Sequence, residues 1–562
     1  MKKWIAVIVL AFVVAFAAGC SERVAEPRIV FDSKGGSAVA EREKTAETFP
    51  VSVKDGFRIE GWYKDENYIE RVVFPYTATK DVTLYAKWTD TETGSEGIEY
   101  ERTEDGKGFA AVAYREKSYS VCIPDEHLGL PVTTIGNGFM KNRAYVGLFF
   151  IGKNVTQIDE EFYRCVSLVR FEVKGVNERY AVENDALVDV VGNEIVAYPR
   201  GLQTREYSVN RTVGKNAFTY NSSIKKLSLG EKASADEGAF SEMTALESFS
   251  VNEDNGYFSS ENGILYSKDR TILYKYPCKK SGEEATIPDS VKTVKDGSFS
   301  GAEVKIITLG TGVERYEDYS YTPNLTEYRV KQGNEFYKAE SGLLYGADGK
   351  ILYRVPQAAE GEVTVADGTE TVSNFAFSEM KKITSVFLPE SVKNISDFAF
   401  YYCMALKTIR FAEESEAETV SGGAFVKCES LEKLVVTSRR PPETDGFDCN
   451  SFADNFKIVV PDNAEEAYGY FWSFAKGYLN AEGRGVAEYS VTFETDGGTE
   501  VESFHGLFVK EPVAPKKDGM IFAGWYDNPR CFGEKAVFPF VTEDHITLYA
   551  CWEQDINASP AA

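Results

Sequence analysis

Apolar positions in the central part of the chain recur in a long unit, V-x-x-I-x-x-x-A-F-x-x-C-x-x-L-x-x-I-x-F. The clearest copies run from Val392 to Phe411 and from Val420 to Val436. Its marker aromatics are Phe139, Phe162, Phe218, Phe240, Phe299, Tyr321, Phe377, Phe400 and Phe425. Within adjacent pairs they are 22 or 23 residues apart. This step, with L-x-x-L-x-L spacing, predicts a solenoid. One unit cannot bury its apolar face alone, so neighbours stack into a continuous core. The Phe299 and Tyr321 units are the weakest, each short of residues before its strand.

A second period of 78 to 79 residues overlies the first. Asn177 with Tyr180 and Leu187 matches Asn255 with Phe258 and Leu265, and Asn334 with Tyr337 and Leu344. Pro199, Pro277 and Pro356 keep the same register. Each block reads as a hairpin inserted between repeats, as in Gly263–Tyr266, a turn at Lys268 and Asp269, then Thr271–Tyr274. The third pattern is a pair of matching ends. Ile29 to Gly36 and Val491 to Gly498 open two modules that close at Trp88 and Trp552. Both carry Gly-Trp-Tyr (Gly61-Trp62-Tyr63 and Gly524-Trp525-Tyr526) and Phe-Pro (Phe74-Pro75 and Phe538-Pro539). The offset is 462 at the glycines and 464 at the last Trp, nearly gapless. Short Val/Phe/Tyr/Trp-rich segments between Gly-Gly and Lys-Asp-Gly turns predict strands.

The end modules resemble the Listeria–Bacteroides repeat, also called the internalin B-repeat. That resemblance implies a small β-grasp-like fold used as a spacer or binding module on bacterial surface proteins. The central repeat, with its Ala-Phe and Cys, resembles the BspA-type, or treponemal-type, leucine-rich repeat, as do the inserted hairpins. Phe452, Ile458 to Pro461, Ala467-Tyr468 and Trp472 resemble that family's terminal cap. The expected fold is mainly β with short helices and turns: a leucine-rich-repeat solenoid with hairpin insertions between two small β-grasp-like modules. Expected boundaries are 28–89, 108–480 and 489–553, with a tail at 554–562.

Alternation leaves two outward positions on each solenoid strand. They read Gly147 and Phe149, Arg170 and Glu172, Lys226 and Ser228, Ser248 and Ser250, Ile306 and Thr308, Glu327 and Arg329, Ser385 and Phe387, Thr408 and Arg410, Lys433 and Val435. This face carries five basic residues against two acidic ones, with Phe149, Ile306 and Phe387 expected exposed. Solenoids bind along such surfaces, which makes Phe149, Arg170, Lys226, Ile306, Arg329, Phe387, Arg410 and Lys433 the candidate binding residues. An ordinary solvated face is the plainer reading. Cys165, Cys403 and Cys428 occupy one column and read as packing, although a disulfide between Cys403 and Cys428 is geometrically conceivable. Trp62, Tyr63, Trp525 and Tyr526 invite a sugar-stacking role, but their place in a repeated motif favours module core, as it does for Trp88 and Trp552.

The N-terminus changes the compartment. A positive start, Met1 to Trp4, precedes an apolar run from Ile5 to Phe16, short for a span, and then Ala17-Ala18-Gly19-Cys20. Cys20 after Ala-Gly resembles a bacterial lipoprotein signal, with Ala17 where that family usually has Leu. The resemblance implies a signal peptide over 1–19, a lipid on Cys20 and a tether over 20–27. The net charge of −25 becomes −27 without Lys2 and Lys3, which argues against nucleic acid and anionic lipid headgroups as partners. No G-x-S-x-G, H-E-x-x-H or phosphate loop occurs. Nine cysteines lack a CxxC pair and three histidines (His127, His505, His545) are scattered. No enzyme activity, cofactor or metal is expected. The expected function is a lipid-anchored, surface-exposed scaffold that recognises a host protein, another cell or a polysaccharide. The alternatives are a structural envelope or spacer protein and a glycan-capture accessory beside a transporter.

Overall fold

The computed structural model describes residues 26–554 apart from 414, 462, 463, 476, 482–488, 507 and 543. The expected lipidation site, Cys20, and the signal peptide lie outside the described residues. Nearly all regular structure is strand, and Glu465–Phe471 is the one α-helix among the described residues. No described helix is long and apolar enough to cross a membrane. Packing divides the chain into two compact units: residues up to 192 with 198–202, and residues 193–197 with 203–562.

The first unit contains the N-terminal module and the first repeats. In the module, strand Arg28–Asp32 pairs parallel with Val82–Asp90, which pairs antiparallel with Phe57–Tyr63. Ile29, Ile59, Trp62 and Leu84 are fully buried between them. Trp62 is thus module core, and its Nε1 donates to the Pro50 carbonyl at 2.8 Å. The parallel pair flanked by antiparallel strands is the expected β-grasp-like arrangement. Beyond the module, strands Ser120–Cys122, Leu148–Ile151 and Arg170–Val173 form a parallel ladder.

The module packs on this ladder. Tyr119, Cys122, Leu148 and Phe150 share one apolar cluster with Ile29, Phe31, Trp62 and Leu84. Phe49 stacks on Tyr119 with ring centroids 3.3 Å apart. Arg58, only 5% exposed, reaches Ser120 Oγ at 3.5 Å, and Arg71 Nη1 donates to the Lys117 carbonyl. Within the ladder itself, Gly147 leaves room for the Tyr119 ring on the neighbouring turn, since a Cβ there would lie 1.8 Å from it.

The second unit stacks turns between two rows of strands. The long row comprises parallel sets at 206–251, 284–330 and 361–481. The other row is built of short strands such as Thr293–Val294, Arg315–Tyr316, Thr371–Val372 and Asn394–Ile395. Between them lies the marker column, with Phe218, Phe299, Phe377, Phe400 and Phe425 at most 1% exposed. Tyr321 departs from the column. It is half-buried with Lys381 Nζ 4.1 Å from its ring centroid, and Tyr316 and Tyr328 fill that layer instead.

The inserted blocks are three-stranded and join the stack. In one, Phe258–Glu261, Ile264–Ser267 and Ile272–Lys275 pair antiparallel, and the last strand continues in parallel to Thr293–Val294. The recurring Asn explains how the block is seated. Asn255 Nδ2 donates to the carbonyls of Gly230 and Ala233, and its Oδ1 accepts from the backbone of Tyr257 and Phe258. Asn177 and Asn334 repeat all four bonds in their own blocks. A side chain with both donor and acceptor is needed to satisfy carbonyls of one turn and amides of the next.

The cysteine column is packing. Cys165, Cys403 and Cys428 are free and buried. Cys403 Sγ donates to the Phe377 carbonyl at 2.9 Å and Cys428 Sγ to the Phe400 carbonyl at 3.0 Å, so the conceivable bridge between them is not formed. A disulfide instead joins Cys531 to Cys551 in the second module. The repeat array ends in strands Lys457–Val460 and Leu479–Ala481 with the short helix between them. Tyr468 and Trp472 are buried there, bonded to the carbonyls of Ser438 and Pro442.

Candidate functional site

The long strands fix which side chains face outward. In the second unit the cross-strand register aligns Lys226 with Ser248, Ile306 with Glu327, and Ser385 with Thr408 and Lys433. Their inward neighbours Leu227, Ile307, Tyr328, Val386, Ile409 and Leu434 are buried. Lys226, Arg329 and Arg410 are exposed, while Ile306, Phe387 and Lys433 are half-buried.

The first unit corrects one expected position. Leu148 pairs with Arg170, Phe149 with Phe171 and Phe150 with Glu172. Phe149 is therefore inward and 0% exposed, among the rings of Phe139, Phe162 and Phe171. It cannot be a contact residue. The outward pair is Leu148 and Phe150, and the N-terminal module covers both. The segment Leu148–Ile151 is buried on both faces, so its apolar run has no polar alternation from which to read a register. Arg170 remains exposed and pairs with Glu172 at 2.8 Å.

In the second unit the sequence pattern misses three ladder strands: Glu206–Val209, Glu284–Thr286 and Gly361–Thr364. Each follows an inserted block and has no marker aromatic of its own. They place Glu206, Glu284 and Glu362 on the outward face, and the cap strand adds Lys457. This changes the charge. Lys226 pairs with Glu206 at 3.1 Å. Arg329 pairs with Glu327 at 2.8 Å and lies 3.8 Å from Glu284. The Arg329 side chain holds the Glu327 carboxyl below its usual range. From 206 to 330 the face neutralises itself.

The last set of strands differs. Across Gly361–Val460 one row reads Glu362, Ser385, Thr408, Lys433, Lys457 and the other Thr364, Phe387, Arg410, Val435. Arg410 and Lys457 are exposed and make no ion pair among the described residues. Phe387 lies in register with Arg410, and both Phe387 and Val435 are half-buried. A cationic, partly apolar patch of fixed spacing results, suited to an acidic or hydrogen-bonding partner with an apolar element. Among the described residues no group of His, Cys, Asp and Glu could hold a metal ion.

Comparison with known proteins identifies the parts. A family model described as the BspA type leucine rich repeat region matches in six copies over residues 202–262, 274–341 and 360–458. The Listeria-Bacteroides repeat domain matches residues 28–87 and 489–551. A putative Gly-rich membrane protein of Evansella cellulosilytica is 40% identical over 335 residues, 56% of this chain and 34% of its own. Internalin H of Listeria monocytogenes is 35% identical over 102 residues, 16% of this chain and 18% of its own. The chain spans about a third or less of these curated relatives. A leucine rich cell surface protein from Faecalibacterium prausnitzii matches 70% of this chain and 95% of its own at 18% identity and a TM-score of 0.29. The pneumococcal vaccine antigen PcpA matches 73% and 87% at 16% identity and a TM-score of 0.31. Residues 202–458 thus carry the matches to BspA-type leucine-rich repeats, and they lie between the two segments that match the Listeria-Bacteroides repeat domain, 28–87 and 489–551.

Proposed function

We propose that this chain is an exported recognition scaffold of the bacterial cell envelope. It is anchored by a lipid on Cys20 and binds a protein or polysaccharide through the outward face of its repeats. The observation that carries the reading is the row Phe387–Arg410–Val435 beside Lys433 and Lys457, a cationic and partly apolar surface on a rigid ladder. Repeat families known from surface proteins support it, and so does a membrane-protein relative. Packing of the first module on the repeats weighs against a purely flexible spacer.

The test has two parts. Protease shaving of intact cells, with cytoplasmic markers retained, is expected to release peptides from residues 108–480. Complete protection of a membrane-associated protein would end the adhesin reading. Purified chain is then screened against immobilised host matrix proteins and bacterial polysaccharides. Binding that falls at least about tenfold with Phe387→Ala and with Arg410→Glu supports the patch, a tenfold loss being about 1.4 kcal/mol. Binding untouched by both variants overturns it.

A further inference from the structure

The two end modules share one fold but not one environment. Both have the same strand pairing and the same bulge, between Ile59 and Gly61 in one and between Phe522 and Gly524 in the other. Yet five of the seven residues of strand Phe57–Tyr63 are buried, whereas its counterpart Met520–Tyr526 is mostly half-buried, with Trp525 alone fully inside and Ile521 exposed. The repeats cause the difference. Arg58 of the first module lies against Ser120 of the ladder, whereas Ile521, in the same register, is 49% exposed.

The second module meets the end of the array by another surface. Phe508 packs against Tyr470 and Phe471, Lys510 pairs with Glu466, and Arg439 donates to Tyr489. The surface equivalent to the docking face of the first module is left bare. A second observation marks it as incomplete. In the docked module Trp62 donates to the Pro50 carbonyl. In the other, Trp525 Nε1 is buried without a partner among the described residues, and Val513, the counterpart of Pro50, is 87% exposed. A buried unpaired indole N–H carries the full desolvation cost, which closure of segment 511–515 against a surface would relieve.

We propose that this open face, centred on Ile521 and Val513, docks on the Phe387–Arg410 patch of a second copy of this chain. Two features select that occupant. The first module already binds a repeat ladder of this chain by the same face, so the mode of contact exists within the molecule. Charge is complementary as well: residues 489–553 carry eleven acidic and five basic side chains, against exposed Arg410 and Lys457 on the ladder. Module and patch are different surfaces, so the contact is heterologous and propagates head to tail. It uses the patch of the proposed function, but the test reads self-association with no other ligand present, so either idea can fail alone.

The experiment is sedimentation velocity on the full exported chain, with Cys20→Ser to leave out the lipid. Concentrations run from about 1 to 100 µM, where weak complexes titrate. Species larger than the monomer are expected to grow with concentration and to shrink with salt. Ile521→Asp and Arg410→Glu should each abolish them. Mixing the two variants should restore a dimer and nothing larger, because each keeps one intact half. Val513→Asp replaces Ile521→Asp if circular dichroism shows that variant misfolded. A monomer at every concentration, association insensitive to both variants, or a mixture that stays monomeric overturns the proposal.

Discussion

Phe375 and Phe398 stack face to face, centroids 5.4 Å apart and planes 8° from parallel, although both hold left-handed backbone conformations, φ 58° and 54°. In three other repeats the same position is Asn216, Gly238 or Gly297, also at positive φ. A bulky residue there costs about 1–2 kcal/mol, and stacking returns about 0.5–1.5 kcal/mol. Phe398→Ala loses the ring and keeps the strained backbone. Phe398→Gly loses the ring and the strain. In urea titrations the glycine variant should be more stable than the alanine variant by about 1 kcal/mol. Equal midpoints would mean that the turn imposes no strain.

Most of the ladder was readable because polar and apolar residues alternate on it. Lys226, Glu327, Ser385, Thr408 and Lys433 fall in register as their strands predict. The register is not legible where alternation is lost or no marker aromatic exists. Leu148–Ile151 is apolar throughout because one face meets the core and the other meets a domain far away in sequence. Glu206, Glu284 and Glu362 sit on strands that follow inserted blocks, where the 22-residue step is interrupted. The Cys531–Cys551 pair had no sequence signal, since the first module has Tyr68 and Lys87 at those places.

Phe149 and Phe387 test that correction directly. Phe149→Ala removes a fully buried ring and should destabilise the first unit by about 3–5 kcal/mol. Phe387→Ala trims a half-exposed ring and should cost about 1 kcal/mol or less. Thermal melts of the two variants separate these outcomes. A harmless Phe149→Ala would show that its ring does not sit in the core.

Docking of the first module rests heavily on one stack. Phe49→Ala removes the ring that lies on Tyr119, at the edge of a cluster shared by module and ladder. The module should then loosen from the repeats while keeping its own core of Ile29, Ile59 and Trp62. Limited proteolysis is expected to cut residues 91–97 faster in the variant than in the parent chain. An unchanged cleavage rate would mean that Arg58 and Arg71 hold the module without the stack.

The disulfide predicts a difference between two homologous domains. Cys531 and Cys551 close a loop of 20 residues in the second module, worth about 3 kcal/mol by chain entropy. Cys531 occupies the turn position of Tyr68, with φ 59° in both. Reductant, or Cys531→Ser, should lower the stability of the second module alone. Hydrogen exchange on residues 490–554 and 28–90 reads both modules in one sample. Equal loosening of the two would rule out the bridge as the cause.

Two buried carboxyls set a pH dependence of defined sign. Glu160 is pushed up to about 7 by burial, against the Met140, Phe139 and Gly138 amides that favour its charged form. Burial likewise raises Asp318 to about 6, opposed by Ser320 and by Lys275, and helped by Asp296. Both values exceed the ordinary ones of 4.5 and 3.8, so the folded state holds more protons than the unfolded state in between. Their contribution is complete at low pH and is lost as pH rises, through 4.5 to about 7 for Glu160 and 3.8 to about 6 for Asp318. Surface carboxyls held low by their partners, such as Asp269 and Glu327, give the opposite slope, so the effect must be read as a difference. Glu160→Gln keeps an acceptor for the Met140 amide and cannot ionise. Its melting temperature relative to the parent should rise steadily between pH 4.5 and 7.5, and Asp318→Asn should do the same over its lower window. A difference that stays flat with pH would mean that neither carboxyl titrates away from its ordinary value.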